Sequence, residues 1–264
     1  MSIDQEEWLE AAKRLPVGGK ARIRHMFESR SNMMIFNNSD SWSCWCFACN
    51  EGAKVRKSHP VLVEEPAPSK GSLVPLPEDC RPLQEASEAL QRQALGYLLI
   101  RGINPETVLA GLDVLVSPST QRLCIEMNGG AYVGRGMGGQ KVKAITYSDH
   151  PYTKYAHHPA QVFGGKPVVL TEDYLSALKV QMACPELMAV SVQGSGASRD
   201  LVAKLLKVEQ VYIMLDGDDA GRKGTISILN KLKGLVRKVT PISTPAGKDP
   251  KELIVKDIRR LIWQ

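Results

Sequence analysis

The chain has 264 residues, 43% of them hydrophobic and 23% charged, which is the balance of a globular protein with a real core rather than of a disordered or collagenous chain. Its net charge of +6 favours polyanionic partners, nucleic acid first. No apolar run is long enough to span a bilayer, and the acidic start, MSIDQEEWLE, lacks the apolar stretch of a signal peptide, so a cytoplasmic protein without a membrane partner is expected.

The first distinctive segment is W-S-C-W-C-F-A-C-N-E-G, which gathers Cys44, Cys46 and Cys49, whereas Cys80, Cys124 and Cys184 stand apart. That distribution is not a disulfide framework; it fits a reducing compartment and one metal site. Cys46-x-x-Cys49 has the spacing of a zinc knuckle. The basic residues Lys20, Arg22, Arg24, Lys54, Arg56 and Lys57 alternate with Trp42, Trp45, Phe36 and Phe47. This mixture suits single-stranded nucleic acid, through stacking and phosphate attraction, and equally suits a small module with a solvated face. Residues 62–82 then carry five prolines and read as an extended linker. The expected division is a module over 1–61, a linker over 62–85, a mixed α+β subdomain over 86–162 and an α/β domain over 163–264.

After the linker, SEALQRQALGYLLIRGI repeats apolar positions at helical spacing through Leu90, Ala94, Tyr97 and Leu98. Asn104-Pro105-Glu106 supplies an N-cap, a proline at the first helical position and an acidic first turn, so a second helix begins there. RLCIEM and AYVGRGM are strand candidates joined at Asn128-Gly129, a favoured hairpin turn. From residue 163 the rhythm changes. PVVLT, MAVSVQ, QVYIML and VRKVTPI are each followed by a helical segment. Four such units predict a parallel sheet with helices on both faces.

In such sheets ligands bind beyond the C-terminal strand ends. Glu172 follows the first strand, Asp216 and Asp218 the third, and Asp249 the fourth. A strand order of 2-1-3-4 brings Glu172 beside Asp216. Gathered carboxylates either take up a proton or are held ionised by a divalent cation. Oxygen-only ligands suit Mg²⁺ or Mn²⁺. Aspartates at such turns also cap helices, a role assigned here to Asp219, and Gly221 permits a tight turn before its helix.

E-D-Y-L-S-A at 172–177 and D-G-D-D-A-G at 216–221 resemble the glutamate and D-x-D motifs of the Toprim domain, shared by bacterial-type primases, topoisomerases and some nucleases. Upstream, Y-V-G-R-G-M-G-G at 132–139, T-K-Y at 153–155 and V-F-G-G at 162–165 resemble, in the same order, segments of bacterial and phage primases. Residues from about 86 to 264 therefore resemble a primase polymerase core, especially that of phage primase-helicases. The family carries glycine after its glutamate and an aspartate four positions beyond it, where this chain has Asp173 and Ser176.

The resemblance implies a Toprim Rossmann-like sheet preceded by a mixed primase subdomain and an N-terminal zinc-ribbon-like β module. It also implies synthesis of short RNA primers on a single-stranded DNA template from ribonucleoside triphosphates. Glu172, Asp216 and Asp218 would be catalytic, and with Asp249 would hold the divalent metal. Arg135, Lys141, Lys143 and Lys154 would contact nucleotide or template. Glycines 134, 136, 138 and 139 would let backbone approach phosphate closely. Apart from the resemblance, Gly194 and Gly196, between the second strand and its helix, either turn backbone N–H groups toward phosphate or form a plain tight turn. Arg101 matches a basic family position and is as readily a surface arginine. Related proteins place a histidine and a cysteine near RIRHMFES; His25 is present and Phe27 stands where the cysteine would be. The module is then either a zinc site of His25, Cys44, Cys46 and Cys49, or a metal-free ribbon held by Trp42, Trp45, Phe47 and Phe36. No G-x-x-x-x-G-K-[ST] motor motif occurs, so a separate replicative helicase is the expected partner, with a viral or prophage source and a host cytoplasm. Two rivals use the same residues: a Toprim nuclease, and a non-catalytic DNA-binding protein of the recombination-mediator kind.

Overall fold

The computed structural model describes residues 3–25, 30–38, 40–59, 73–194 and 196–263. Phe27, Ser195 and the stretch 60–72 of the proline-rich segment lie outside them. The chain divides into two units, Met1–Gly71 and Ser72–Gln264.

The first unit packs helix α1 (Leu9–Lys13) on a four-stranded antiparallel sheet. Its strands are β1 (Lys20–Ile23), β2 (Met33–Asn37), β3 (Ser41–Cys46) and β4 (Glu51–Arg56), in that order. Alternation along β2 turns Met33 and Ile35 inward, where they lie opposite Cys46 and Cys44 of β3 and against Trp8 and Ala12. Trp8 is wholly buried, whereas Trp45 and Phe47 are 40% and 60% exposed. The expectation that Trp45 and Phe47 hold the ribbon together is therefore corrected. Period-2 geometry sends Trp45 to the face opposite Cys44 and Cys46, and the core anchor is Trp8 from the N-terminal segment.

The second unit contains two five-stranded sheets. One is antiparallel, in the order β5 (Arg81–Pro82), β6 (Val114–Ser117), β7 (Arg122–Met127), β8 (Ala131–Gly136), β9 (Ala144–Tyr147), and is accompanied by α2 (Glu88–Ile100) and α3 (Pro105–Gly111). The Asn104 side chain accepts the Glu106 N–H at 3.0 Å at the start of α3, as its sequence requires. The β7–β8 hairpin differs from the two-residue turn expected. Met127 pairs with Ala131, so Asn128, Gly129 and Gly130 form a three-residue loop, with both glycines at positive φ (78° and 71°). Asn128 is spent on tertiary contacts: its Oδ1 accepts from the His157 N–H and its Nδ2 donates to Thr153 Oγ1.

The other sheet has the order β10 (Ala156–His157), β12 (Met188–Ser191), β11 (Val168–Thr171), β13 (Gln210–Ile213), β14 (Lys238–Pro241). β11 to β14 are parallel in the expected order 2-1-3-4, and β10 adds an antiparallel edge. Helices α4 (Tyr174–Ala183) and α7 (Val255–Ile262) cover one face, over Val169, Ala189 and Tyr212. Helices α5 (Arg199–Leu205) and α6 (Asp219–Leu232) cover the other, over Val168, Leu170, Val190 and Val211. The central strands β11 and β12 are buried on both faces and read as short, largely apolar runs, whereas the edge strand β14 is partly exposed.

Two boundary expectations change. Residues 73–85, read as linker, belong to the second unit: Leu83 is 2% exposed in its core. Asp79 accepts from Ser117 Oγ and the Ser119 N–H at 2.7 and 2.6 Å. The stretches 86–162 and 163–264 share one core, in which Leu98, Val116 and Ile125 pack with Tyr174, Leu178 and Ile258.

Candidate active site and metal centres

The acidic motifs converge at the C-terminal rim of the parallel sheet. Glu172 leaves β11 and its backbone is pinned to the end of β12: its carbonyl accepts from the Gly194 N–H at 3.1 Å and from Ser191 Oγ at 3.0 Å. Asp216 lies just past β13. Gly217 beside it donates to the Lys248 carbonyl and accepts from the Gly247 N–H. A Cβ on Gly221 would fall 2.0 Å from the Asp216 carbonyl oxygen. Gly221 is thus the residue that lets the first turn of α6 close over Asp216, inside the helix rather than before it. The capping role also moves by one residue. Asp218 caps α6, accepting the Gly221 N–H at 2.7 Å, while Asp219 is exposed and paired with Arg222.

Asp249 follows β14, and ligand atoms of Asp173, Asp216 and Asp249 lie within 4.8 Å of one another. Asp173 was noticed in sequence only as a departure from the family pattern. It caps α4 through Oδ1, which accepts the Ser176 N–H at 3.0 Å, and its Oδ2 accepts from Lys251 at 2.7 Å. Lys251 also bonds Asp249 Oδ2. Sequence reasoning missed Lys251 altogether, because a lysine in D-P-K-E-L reads as a solvated helix start.

The electrostatics follow from this packing. Burial, then the charges of Asp249 and Glu172, push the Asp216 carboxyl up to about 7. Burial and the Asp218, Asp173 and Asp249 carboxylates also raise Glu172. Asp173 goes the other way: burial opposes its charge, but Lys251 and Arg135 outweigh that and hold it below the usual range. Glu172 Oε2 and Asp216 Oδ1 are buried without a hydrogen-bond partner among the described residues. Buried carboxylate oxygens left so are costly. A hard divalent cation takes oxygen ligands, and Asp173, Asp216 and Asp249 stand close enough together to share one, a group that does not include Glu172 or Asp218.

Beside the carboxylates opens a cavity of about 1060 Å³ lined by Arg101, Arg135, Lys143, Lys179, Asp249 and Lys251. Arg101 stacks on the Tyr97 ring at 3.6 Å, and Arg135 donates to the Tyr97 hydroxyl at 3.4 Å. Lys141 and Lys154 are exposed and do not line the cavity. Two glycine expectations are corrected. The Gly194 N–H is occupied by the Glu172 carbonyl, so it is not offered to phosphate. Gly134 is required by packing, since a Cβ there would fall 2.2 Å from the Tyr147 ring. Gly136, Gly138 and Gly139 do line the cavity, and Gly196 is exposed.

In the first unit, ligand atoms of His25, Cys46 and Cys49 lie within 4.8 Å of one another. His25 Nδ1 is 3.6 Å from Cys49 Sγ, and its Nε2 faces Glu7 Oε2 at 3.5 Å. A carboxylate on one ring nitrogen leaves the other to face an ion, the arrangement common behind zinc ligands. Thiolate and imidazole donors at this spacing fit zinc. Cys44 is not in the group. Two residues along a strand it shares the face of Cys46, but it sits about 7 Å further from the knuckle, within the apolar core.

Residues 171–254 match the family described as Toprim-like. A curated DNA primase from Aquifex aeolicus (strain VF5) is 42% identical over 67 residues, which make up 24% of this chain and 13% of that one. The match thus spans about an eighth of the relative's length. Among solved structures, the RNA polymerase domain of the Mycobacterium tuberculosis primase DnaG aligns with a TM-score of 0.56 at 14% identity, over 69% of this chain and 78% of that one. The zinc-binding and RNA polymerase domains of the Aquifex aeolicus primase align with a TM-score of 0.51 at 19% identity, over 98% and 82%. Residues 171–254 are therefore a Toprim-like domain, and the chain has the fold of bacterial-type primases.

Proposed function

We propose that the protein is a primase: a nucleotidyltransferase that makes short RNA primers on single-stranded DNA from ribonucleoside triphosphates. The observation that carries this reading is the pair of unpartnered buried oxygens, Glu172 Oε2 and Asp216 Oδ1. They stand on a primase-type fold beside a large cavity lined with cations. Glu172 and Asp216, with Asp218 and Asp249 around them, would hold Mg²⁺ or Mn²⁺. Such an ion, when bound, neutralises charge developing on phosphate oxygens.

The chain's own groups do the positioning. Arg135 and Lys143 face the cavity and offer charge-assisted hydrogen bonds to a triphosphate, with Arg101 held in place by Tyr97. Ionised Glu172 is suited to accept the proton of an attacking 3′ hydroxyl. In the first unit, His25, Cys46 and Cys49 would hold zinc. The exposed rings of Trp45 and Phe47, with Arg22 5.8 Å from the Phe47 ring centroid, would stack on template bases. Among the described residues no helix is long and apolar enough to cross a membrane. We place the protein in the cytoplasm, a viral host's included, with a separate replicative helicase as partner.

The test is incubation with single-stranded DNA, labelled ribonucleotides and Mg²⁺. Labelled short RNA supports the primase. Shortened template with no RNA makes it a Toprim nuclease. A gel shift with neither product makes it a DNA-binding protein.

A further inference from the structure

One buried cation near the acidic rim has no carboxylate of its own. Lys179 is the only charged residue of α4, a helix otherwise buried through residues such as Leu175, Leu178 and Val180, and it is 5% exposed. Its ammonium donates to the Gly102 carbonyl, and among the described residues it pairs with no acidic group. Burial lowers its pKa, with no nearby charge to oppose the shift. A buried, unpaired cation is costly, and an apolar side chain of the same length would fill the space without that cost.

The backbone makes room for this ammonium. α2 ends at Gly102, whose φ is 63°. The Gly102 N–H donates to the Leu99 carbonyl and the Ile103 N–H to the Leu98 carbonyl, a helix end that favours glycine. A Cβ at Gly102 would fall 2.5 Å from Lys179 Nζ. The carbonyl there takes one of three N–H donors. Lys179 lines the same cavity as Arg101, Arg135 and Asp173. Arg101 likewise has no acidic partner among the described residues; it stacks on the Tyr97 ring and donates to the Tyr97 carbonyl. Six residues separate Lys179 from Asp173, about 9 Å along the helix axis. One wall of the cavity therefore carries a rim carboxylate at the start of α4 and an uncompensated ammonium further along. An extended anion suits that spacing, with one end at the rim and the other at the cations. A template strand presents its phosphates along a broad backbone, whereas the free end of a triphosphate can reach a side chain this buried.

Resting on the polymerase reading above, we propose that Lys179 binds the terminal phosphates of the incoming ribonucleoside triphosphate, the two that leave as pyrophosphate. It thereby makes the site select for the length of the phosphate chain.

The experiment is equilibrium dialysis of labelled ATP and AMP against the full zinc-loaded chain in excess Mg²⁺, without template. Wild type prefers ATP. Lys179→Met weakens ATP about tenfold or more, the loss of a hydrogen bond to a charged group, and leaves AMP within about twofold. Without nucleotide, Lys179→Met melts no lower than wild type, since the substitution removes an uncompensated buried charge. No preference for ATP in wild type, ATP affinity unchanged in Lys179→Met, or ATP and AMP weakened alike overturns the inference. So does a lower melting temperature, because the ammonium would then serve the fold. Weakened single-stranded DNA binding with ATP affinity kept overturns it too, making Lys179 a template contact. Where Lys179→Met does not fold, Lys179→Gln, which keeps a donor for the Gly102 carbonyl and drops the charge, is read in the same way. Failure here is separable from failure of the polymerase reading. A chain that binds ATP through Lys179 and makes no primers sinks only that reading; one that makes primers and binds ATP equally well as Lys179→Met sinks only this inference.

Discussion

At the scale of single residues, the account turns on Asp216. Its carboxyl stands near 7 in the folded protein against about 3.9 in an unfolded chain. Without metal the folded state therefore holds a proton that the unfolded state gives up, and stability falls as pH rises between those values. Asp216→Asn removes the repulsion. After allowance for solvent screening of a half-buried group it should stabilise the metal-free protein at pH 8 on the order of 1–2 kcal/mol, read as a raised melting temperature. The same substitution should reduce Mn²⁺ affinity at least tenfold. A melting temperature that is unchanged or lower at pH 8 would remove the electrostatic argument. The cysteines give a second contrast at this scale. Cys49→Ser should lower the zinc content from one per chain to zero, and Cys44→Ser should leave it at one, by metal analysis of the purified protein. Zinc retained by Cys49→Ser and lost by Cys44→Ser would reverse the assignment.

Among the elements, the strand-to-turn junctions decide where chemistry sits. The acidic motifs were legible in sequence because four apolar residues, Tyr212 to Leu215, run into Asp216, Gly217, Asp218 and Asp219. A parallel strand end is where such a knot meets its neighbours. What was not legible is what depends on one residue of helix phase or on tertiary approach. Asp218 rather than Asp219 caps α6 because the helix starts at Asp219. Lys251 reaches Asp173 only because α4 packs against the turn at Pro250 to Glu252. Trp8 outranked the aromatic-rich strand because a helix, not the ribbon, closes the small core. Gly221 is where element packing meets the site. Gly221→Ala sets a methyl against the Asp216 carbonyl and should destabilise the protein by about 1–3 kcal/mol, with primer synthesis falling further than stability does. Denaturant unfolding beside the activity assay checks this; a neutral Gly221→Ala would mean that α6 does not position Asp216.

For the whole molecule, charge and fold act together. With a net charge of +6 and exposed aromatics next to arginine and lysine, single-stranded DNA affinity should depend steeply on salt. With about four phosphates neutralised it should fall about 50-fold between 50 and 200 mM salt; a flat dependence would point away from phosphate contacts. The succession of strand-helix units and the parallel sheet could be read from their alternation; the strand order 2-1-3-4 could not, and is expected only as the order that brings Glu172 beside Asp216. The merging of the 86–162 and 163–264 stretches into one core could not, because it depends on which face of α4 meets the antiparallel sheet. The central proposal is that carboxylates from separate strands would hold a divalent ion at the place where ribonucleotides are joined on a DNA template. Its most direct test is Mg²⁺-dependent primer synthesis by wild type and by Asp216→Asn, measured with DNA binding on the same preparations. The account predicts labelled primers from wild type, at least a hundredfold loss in Asp216→Asn, and template binding unchanged in both. Primers made equally well by Asp216→Asn, or without any divalent ion, would contradict it.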